Sequence, residues 1–132
     1  MSRSGYSDDC DGWDLIRWRG AVNSAIRGRR GQQFLRDLGA ALDALPERAL
    51  ISDELEADGA YCALGAVGAA RGIDMTDVDP YDRERVAEMF GIAPALAAEI
   101  MDLNDSTRGD PAMRWSYMRE WAQRALTTKD DP

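Results

Sequence analysis

Apolar residues along this chain recur mostly at three- and four-residue steps, the period of an amphipathic helix. Leu15, Trp18, Val22, Ala25 and Ile26 form one such stripe. Leu35, Leu38, Leu42 and Leu45 form a second, with Phe34 beside it. Asp11 suits the N-cap of the first helix, and Asp14 adds negative charge to its first turn. Gly28 suits its stop, and the second helix is expected to begin after Arg29-Arg30-Gly31 and to end at Pro46. So short a connection predicts an αα-hairpin.

Residues 46–60 carry the weakest pattern. "ALISDELEADGAY" fits a strand, an Asp58–Gly59 turn and a second strand, and it fits equally one helical turn and a loop. Irregular structure with at most one small hairpin is the expectation. "YCALGAVGAARG" reads as a helix stopped by Gly72. Gly65 and Gly68 give that helix a smooth face, for another backbone or for a ligand. "IDMTDVDPYD" spaces four aspartates through a loop. An EF-hand needs glycine at loop position six, and counting from Asp77 that position is Asp82. The twelfth position, Glu88, falls inside the next predicted helix. The loop therefore reads as capping chemistry, with Asp79 as N-cap and Pro80 at the first helical position.

From Arg83 the spacing of Val86, Ala87, Phe90, Gly91, Ile92, Ala97 and Ile100 is that of a helix–turn–helix hairpin. Its second helix would present Ala93, Pro94, Ala95, Ala98, Glu99 and Asp102. Base edges are read mainly by arginine, lysine, asparagine and glutamine, and none occurs before Asn104. The hairpin is expected to be structural. The last helix opens at Asp110–Pro111 and carries Trp115, Met118, Ala122 and Ala125 on one stripe. Tyr117 and Trp121 lie on another, either as an aromatic edge of the core or as a contact for a partner or second copy. The fold class is mainly α: one domain over residues 11–127, a compact bundle of five to six short helices. One small β-hairpin is allowed near residues 49–62, and flexible ends are expected at 1–10 and 128–132.

Length and composition agree with one domain. A chain of 132 residues buries roughly two-thirds of its unfolded surface. No run approaches the roughly 18 apolar residues that span a bilayer, and "MSRSGYSDDCDG" lacks the apolar middle of a signal peptide. The expectation is a cytoplasmic protein without membrane contact. Cys10 lies among aspartates that disfavour a thiolate, whereas Cys62 lies in an apolar run and reads as a small buried hydrophobe. A disulfide between them is not the expected state of that compartment.

Charge changes the picture most. The net charge is −8. Residues 1–36 hold seven arginines against four aspartates, a net +3, and residues 37–132 hold nine bases against twenty acids, a net −11. Such a surface repels a nucleic-acid backbone and attracts a basic protein. Arg27, Arg29 and Arg30 are the candidate anion or nucleic-acid contacts; pairing with the acidic remainder is the other reading. Arginine outnumbers lysine fifteen to one, so base composition of the gene accounts for some of them. There is no histidine, which removes Ser-His and Cys-His dyads and histidine-bearing zinc sites. No P-loop or GxGxxG occurs. "SDELEAD" could supply a carboxylate pair, as any acidic loop could. No enzymatic activity, cofactor or metal is expected.

"WRGAVNSAIRGRRGQQFLRDLGAALDALPERALISDELEADGAYCALGAVGAARGIDM", followed by "FGIAPALAAEIM", resembles a group of small uncharacterised proteins encoded by bacteriophages and prophages. The likeness covers roughly residues 6–105 and rests on the run from Arg27 to Leu45 and on "CALGAVGAARGIDM". Related sequences continue past Glu99 with a more acidic, asparagine-bearing patch, of which "IMDLNDS" is a weaker version. The resemblance implies a phage gene and a bacterial host, and brings no catalytic residues. Small acidic proteins of that origin are often inhibitors that occupy a basic groove on a host nucleic-acid enzyme or defence complex. On that implication Glu84, Glu88, Glu99, Asp102 and Asp105 would contact a host protein with a basic surface, in place of a nucleic-acid backbone. Two alternatives stand beside it. One is a nucleic-acid-binding regulator using the 83–102 hairpin and the arginine-rich 17–36 face. The other is a dimeric module sealed by Tyr117 and Trp121. Monomer and homodimer both remain open.

Overall fold

In the computed structural model, which describes residues 12–106 and 110–126, the first two stripes become helices α1 (Gly12–Arg27) and α2 (Arg29–Ala44). They are joined by Gly28 alone, whose extended backbone caps α2. The second helix thus begins three residues earlier than the sequence suggests. Gly31 lies inside α2, and a Cβ there would collide with the Ala25 carbonyl of α1. It serves a close helix contact and is not part of the turn. Cys10, the Asp11 cap and the ends expected to be flexible lie outside the described residues.

The weak 46–62 stretch contains a minimal antiparallel hairpin, β1 (Glu56–Ala57) and β2 (Ala60–Tyr61), with Ala57 paired to Ala60 and Glu56 to Tyr61. Asp58 (φ 51°) and Gly59 (φ 81°) both take the left-handed conformation that a two-residue hairpin turn demands. The pairing extends outward through Ile51 N–H to Tyr61 O and Cys62 N–H to Leu55 O. Helices α3 (Ala63–Arg71), α4 (Arg83–Phe90), α5 (Pro94–Ser106) and α6 (Pro111–Ala125) follow.

Two helices organise the rest. Helix α2 packs against α1, α3 and α6, and α5 packs against α1, α3, α4 and α6. Their fully buried side chains, Phe34, Leu35, Leu38 and Leu42 on α2 and Leu96, Ile100 and Met101 on α5, meet Leu50, Leu64 and Met118 in one core. Each such side chain contributes about 1.5–3 kcal/mol on burial. The expected first stripe is only partly used. Val22 is fully buried and Ala25 and Ile26 pack on the core, whereas Trp18 is half-buried and Leu15 stays 38% exposed.

Helix ends follow side-chain chemistry. Asp110 accepts the Met113 N–H at 2.9 Å with Pro111 at the first position, as the Asp–Pro pair predicts. The expected Asp79 cap is different: Asp79 closes a turn, its carboxylate accepting the Tyr81 N–H and its carbonyl the Asp82 N–H. Asp82 is the residue that caps α4, accepting the Arg85 N–H. Cys62 is buried as expected, and its sulfur also caps α3 by accepting the Gly65 N–H at 3.3 Å.

Candidate functional site

Two acid-rich segments border one groove, the first through its carboxylates and the second through the uncharged residues between its aspartates. Residues 53–58 carry Asp53, Glu54, Glu56 and Asp58, and residues 73–82 carry Asp74, Asp77, Asp79 and Asp82, with no basic residue in either stretch. Glu54, Glu56 and Asp58 line a groove of about 380 Å³ from the hairpin side, and Met75, Thr76, Val78 and Pro80 line it from the loop. All eight carboxylates are exposed. The loop is held from below by Met75, which is buried against Gly68 at a point where a Cβ would strike its sulfur. Asp74 accepts from both the Thr76 hydroxyl (2.6 Å) and N–H (3.0 Å). The hydroxyl contact, then the amide, holds its carboxyl below the usual carboxylate range. The hairpin is held by Asn104, which is fully buried. Its Oδ1 accepts the Ala63 N–H, and its Nδ2 donates to Ile51 O and to the Asp105 carboxylate. Arg114 completes the clamp by donating to Asn104 O and Leu50 O.

The acidic residues singled out earlier do not form one surface. Glu84 and Glu88 are exposed on α4, Glu88 within reach of Arg85 at 3.2 Å. Glu99 is 6% exposed and lies under α1, its carboxylate paired with Arg19 at 2.9 Å. Asp105 is half-buried and accepts the Asp53 N–H at 3.0 Å, and Asp102 is also half-buried. Glu99 is therefore a buried carboxylate held by a partly exposed arginine and not a contact surface, because α1 packs across the face of α5 that was expected to point outward. Ala98 is fully buried for the same reason.

The α4–α5 pair is the helix–turn–helix hairpin that the spacing predicts. Gly91 (φ 71°) terminates α4, and Ile92 N–H donates back to Ala87 O, a Schellman-type closure. Val86, Ala87, Phe90, Ile92, Ala97 and Ile100 are all buried. Its second helix offers no free reading face, with Ala98 and Glu99 covered and Asn104 consumed by the hairpin clamp.

Arg27, Arg29 and Arg30 come together at the α1–α2 junction, and all three are exposed. Arg27 donates weakly to Asn23 O at 3.4 Å. Residues 15–36 carry six arginines and no carboxylate; in space Asp37 borders the groove that Arg29 and Arg30 line, and Arg19 is paired with Glu99. The grooves that Arg29 and Arg30 line share no residue with the acidic groove. On α6, Trp121 is half-buried and packs on the core, whereas Tyr117 (38% exposed) and Met113 (56%) remain outside.

A further cavity of about 430 Å³ is lined mainly by alanines of α2 and α3 with Leu45, Pro46 and Tyr61. Glu47, Asp58 and the Tyr61 phenol are its only titratable lining residues, and no cysteine, serine or threonine borders it. Among the described residues no set of three or more cysteine, aspartate or glutamate side chains is placed to hold a metal ion, and no helix is long and apolar enough to cross a membrane. The acidic edge was missed in the sequence because its two halves are some twenty residues apart. The signal that could have found them is the absence of any base within either acidic run. Against known proteins, no family model, no curated protein and no solved structure matches the chain.

Proposed function

We propose that this protein acts by stoichiometric binding, presenting its acidic edge to a partner protein with a basic surface. The observation that carries the reading is a groove lined by Glu54, Glu56 and Asp58 on one side and by Met75, Thr76, Val78 and Pro80 of the aspartate-bearing loop on the other, with no basic residue in its lining. Clustered exposed carboxylates repel one another, which costs stability. They attract a cationic surface and speed its encounter. The resemblance to phage and prophage proteins supports a bacterial nucleic-acid-handling or defence complex as the setting, with the protein as its inhibitor or modulator.

The experiment is affinity capture from a bacterial host lysate, with and without nuclease, eluted by a salt gradient and identified by mass spectrometry. The expected result is a basic protein in stoichiometric amount that survives nuclease and elutes with salt. Capture that disappears with nuclease, or no salt-eluted partner at all, contradicts the reading.

A further inference from the structure

The arginine corner is not used by the acidic edge, and its geometry is specific. Arg19, Arg71, Arg85, Arg119 and Arg124 are each paired with a carboxylate. Arg114 is spent on backbone carbonyls, and Arg48 lies over the Trp115 ring. Among the described residues neither Arg29 nor Arg30 has such a partner, in a chain with an excess of acid. They occupy the first turn of α2, which holds no acidic residue and no side-chain cap. Positive charge there opposes the helix dipole and destabilises the protein unless an anion compensates.

Both residues line a groove of about 360 Å³ whose other walls include Phe34, Asp37, Arg71 and Gly91. Its floor is apolar: Phe34 and Phe90 meet edge to face with centroids 6.1 Å apart. Arg71 is fixed in the wall, stacked over Phe34 at 5.4 Å, donating to Phe90 O and paired with Asp37 at 3.1 Å. The Arg71–Asp37 pair is neutral as a unit, so two uncompensated positive charges remain above an apolar floor. A volume of this size is in the range of small-molecule sites.

We propose that this groove binds a small phosphate monoester, with the phosphoryl group on Arg29 and Arg30 and an apolar or aromatic carbon skeleton against the groove floor. A monoester carries about −1.5 to −2 at neutral pH, which matches two free guanidiniums. A phosphodiester or a carboxylate supplies only one charge. Planar guanidiniums also hold phosphoryl oxygens in bidentate geometry.

The test is titration of the full chain with adenosine 5′-monophosphate, inorganic phosphate, cyclic AMP and adenosine, followed by backbone amide shifts. AMP is expected to give saturable shifts at Arg29–Gln33 and at Gly91–Ile92. Cyclic AMP and adenosine should bind at least about tenfold more weakly, and inorganic phosphate should move the Arg29–Gly31 amides alone. Arg29→Gln with Arg30→Gln should abolish the AMP response while the melting temperature of the ligand-free protein is equal or higher, since the charges opposing the helix dipole are gone. No saturable shift with millimolar AMP, equal affinity for AMP and adenosine, or an unchanged response in the double variant would overturn the proposal. So would tighter binding of a single-stranded oligonucleotide than of AMP. The ligand comparisons use the unaltered protein, so they decide the matter even if the variant folds poorly.

Discussion

Gly65 is in contact with the Leu55 carbonyl, so closely that any Cβ would overlap it. That contact seats the hairpin on α3. Gly65→Ala should therefore destabilise by roughly 1–3 kcal/mol, the usual cost of overpacking. Gly20, inside α1 with open space around it, is the control: Gly20→Ala should stabilise by about 0.5–1 kcal/mol through helix propensity. Urea unfolding of both variants checks the pair, and the same sign at both positions would contradict the packing assigned here. Asn104 is the polar counterpart. Asn104→Ala leaves the buried Ala63 N–H and Ile51 O unmatched, at a cost of roughly 3 kcal/mol, read in the same experiment. The glycine pair 65 and 68 was legible as a close-packing face, because glycine inside a helix costs propensity that alanine does not. Asn104 was not, because its partners lie 41 and 53 residues away and nothing local marks an asparagine as interior.

Among the elements, α1 is the least committed to the core. Its described residues contribute one fully buried side chain, Val22, together with the Arg19–Glu99 pair that fastens it to α5. Arg19→Ala strands a buried carboxylate and should cost roughly 1–3 kcal/mol. Glu99→Gln should cost less, since an amide tolerates the lost partner. Amides of α1 should exchange faster than those of α2, and faster still in Arg19→Ala; exchange of α1 as slow as that of α2 would contradict this assignment. Helix α6 is fastened differently, by Arg119 bonding Asp43 at 2.9 and 3.0 Å. The hydrogen bond from Arg119 holds the Asp43 carboxyl below the usual range. A depressed carboxylate stabilises above its ordinary pKa, and that stability is lost as pH falls through the folded-state value. Asp43→Asn should thus cost under about 1 kcal/mol at neutral pH, because the pair is exposed and screened. The difference from the parent should close in acid, as chemical denaturation across pH will show.

At this scale most of the fold was legible. Both helical hairpins, the Asp110–Pro111 start and the stops at Gly72 and Gly91 follow from spacing and caps. The start of α4 did not, because Asp79 and Asp82 are equally good caps and a local turn decides between them. The start of α2 was misplaced because a glycine read as punctuation turned out to be a helix contact.

For the whole molecule, charge is sorted into two regions, an acidic edge on the hairpin and the 73–82 loop and an arginine corner at the α1–α2 junction. The imbalance between chain halves was visible in the sequence. Which acids share a surface was not, since Glu99, Asp102 and Asp105 are close in sequence to exposed carboxylates yet are drawn inward by α1 and by the hairpin. Conversely, residues 53–58 and 73–82 meet only because α3 runs between them and turns the chain back at Gly72. The measurement that bears most directly on this account is the affinity of a captured partner for the parent and for Glu54→Lys/Glu56→Lys/Asp77→Lys. These three positions avoid the left-handed backbone sites and the hydrogen-bonded caps. The expected result is a loss of about 100-fold or more, roughly 3 kcal/mol, with the melting temperature maintained. An affinity within about twofold of the parent would contradict the acidic edge as the binding surface.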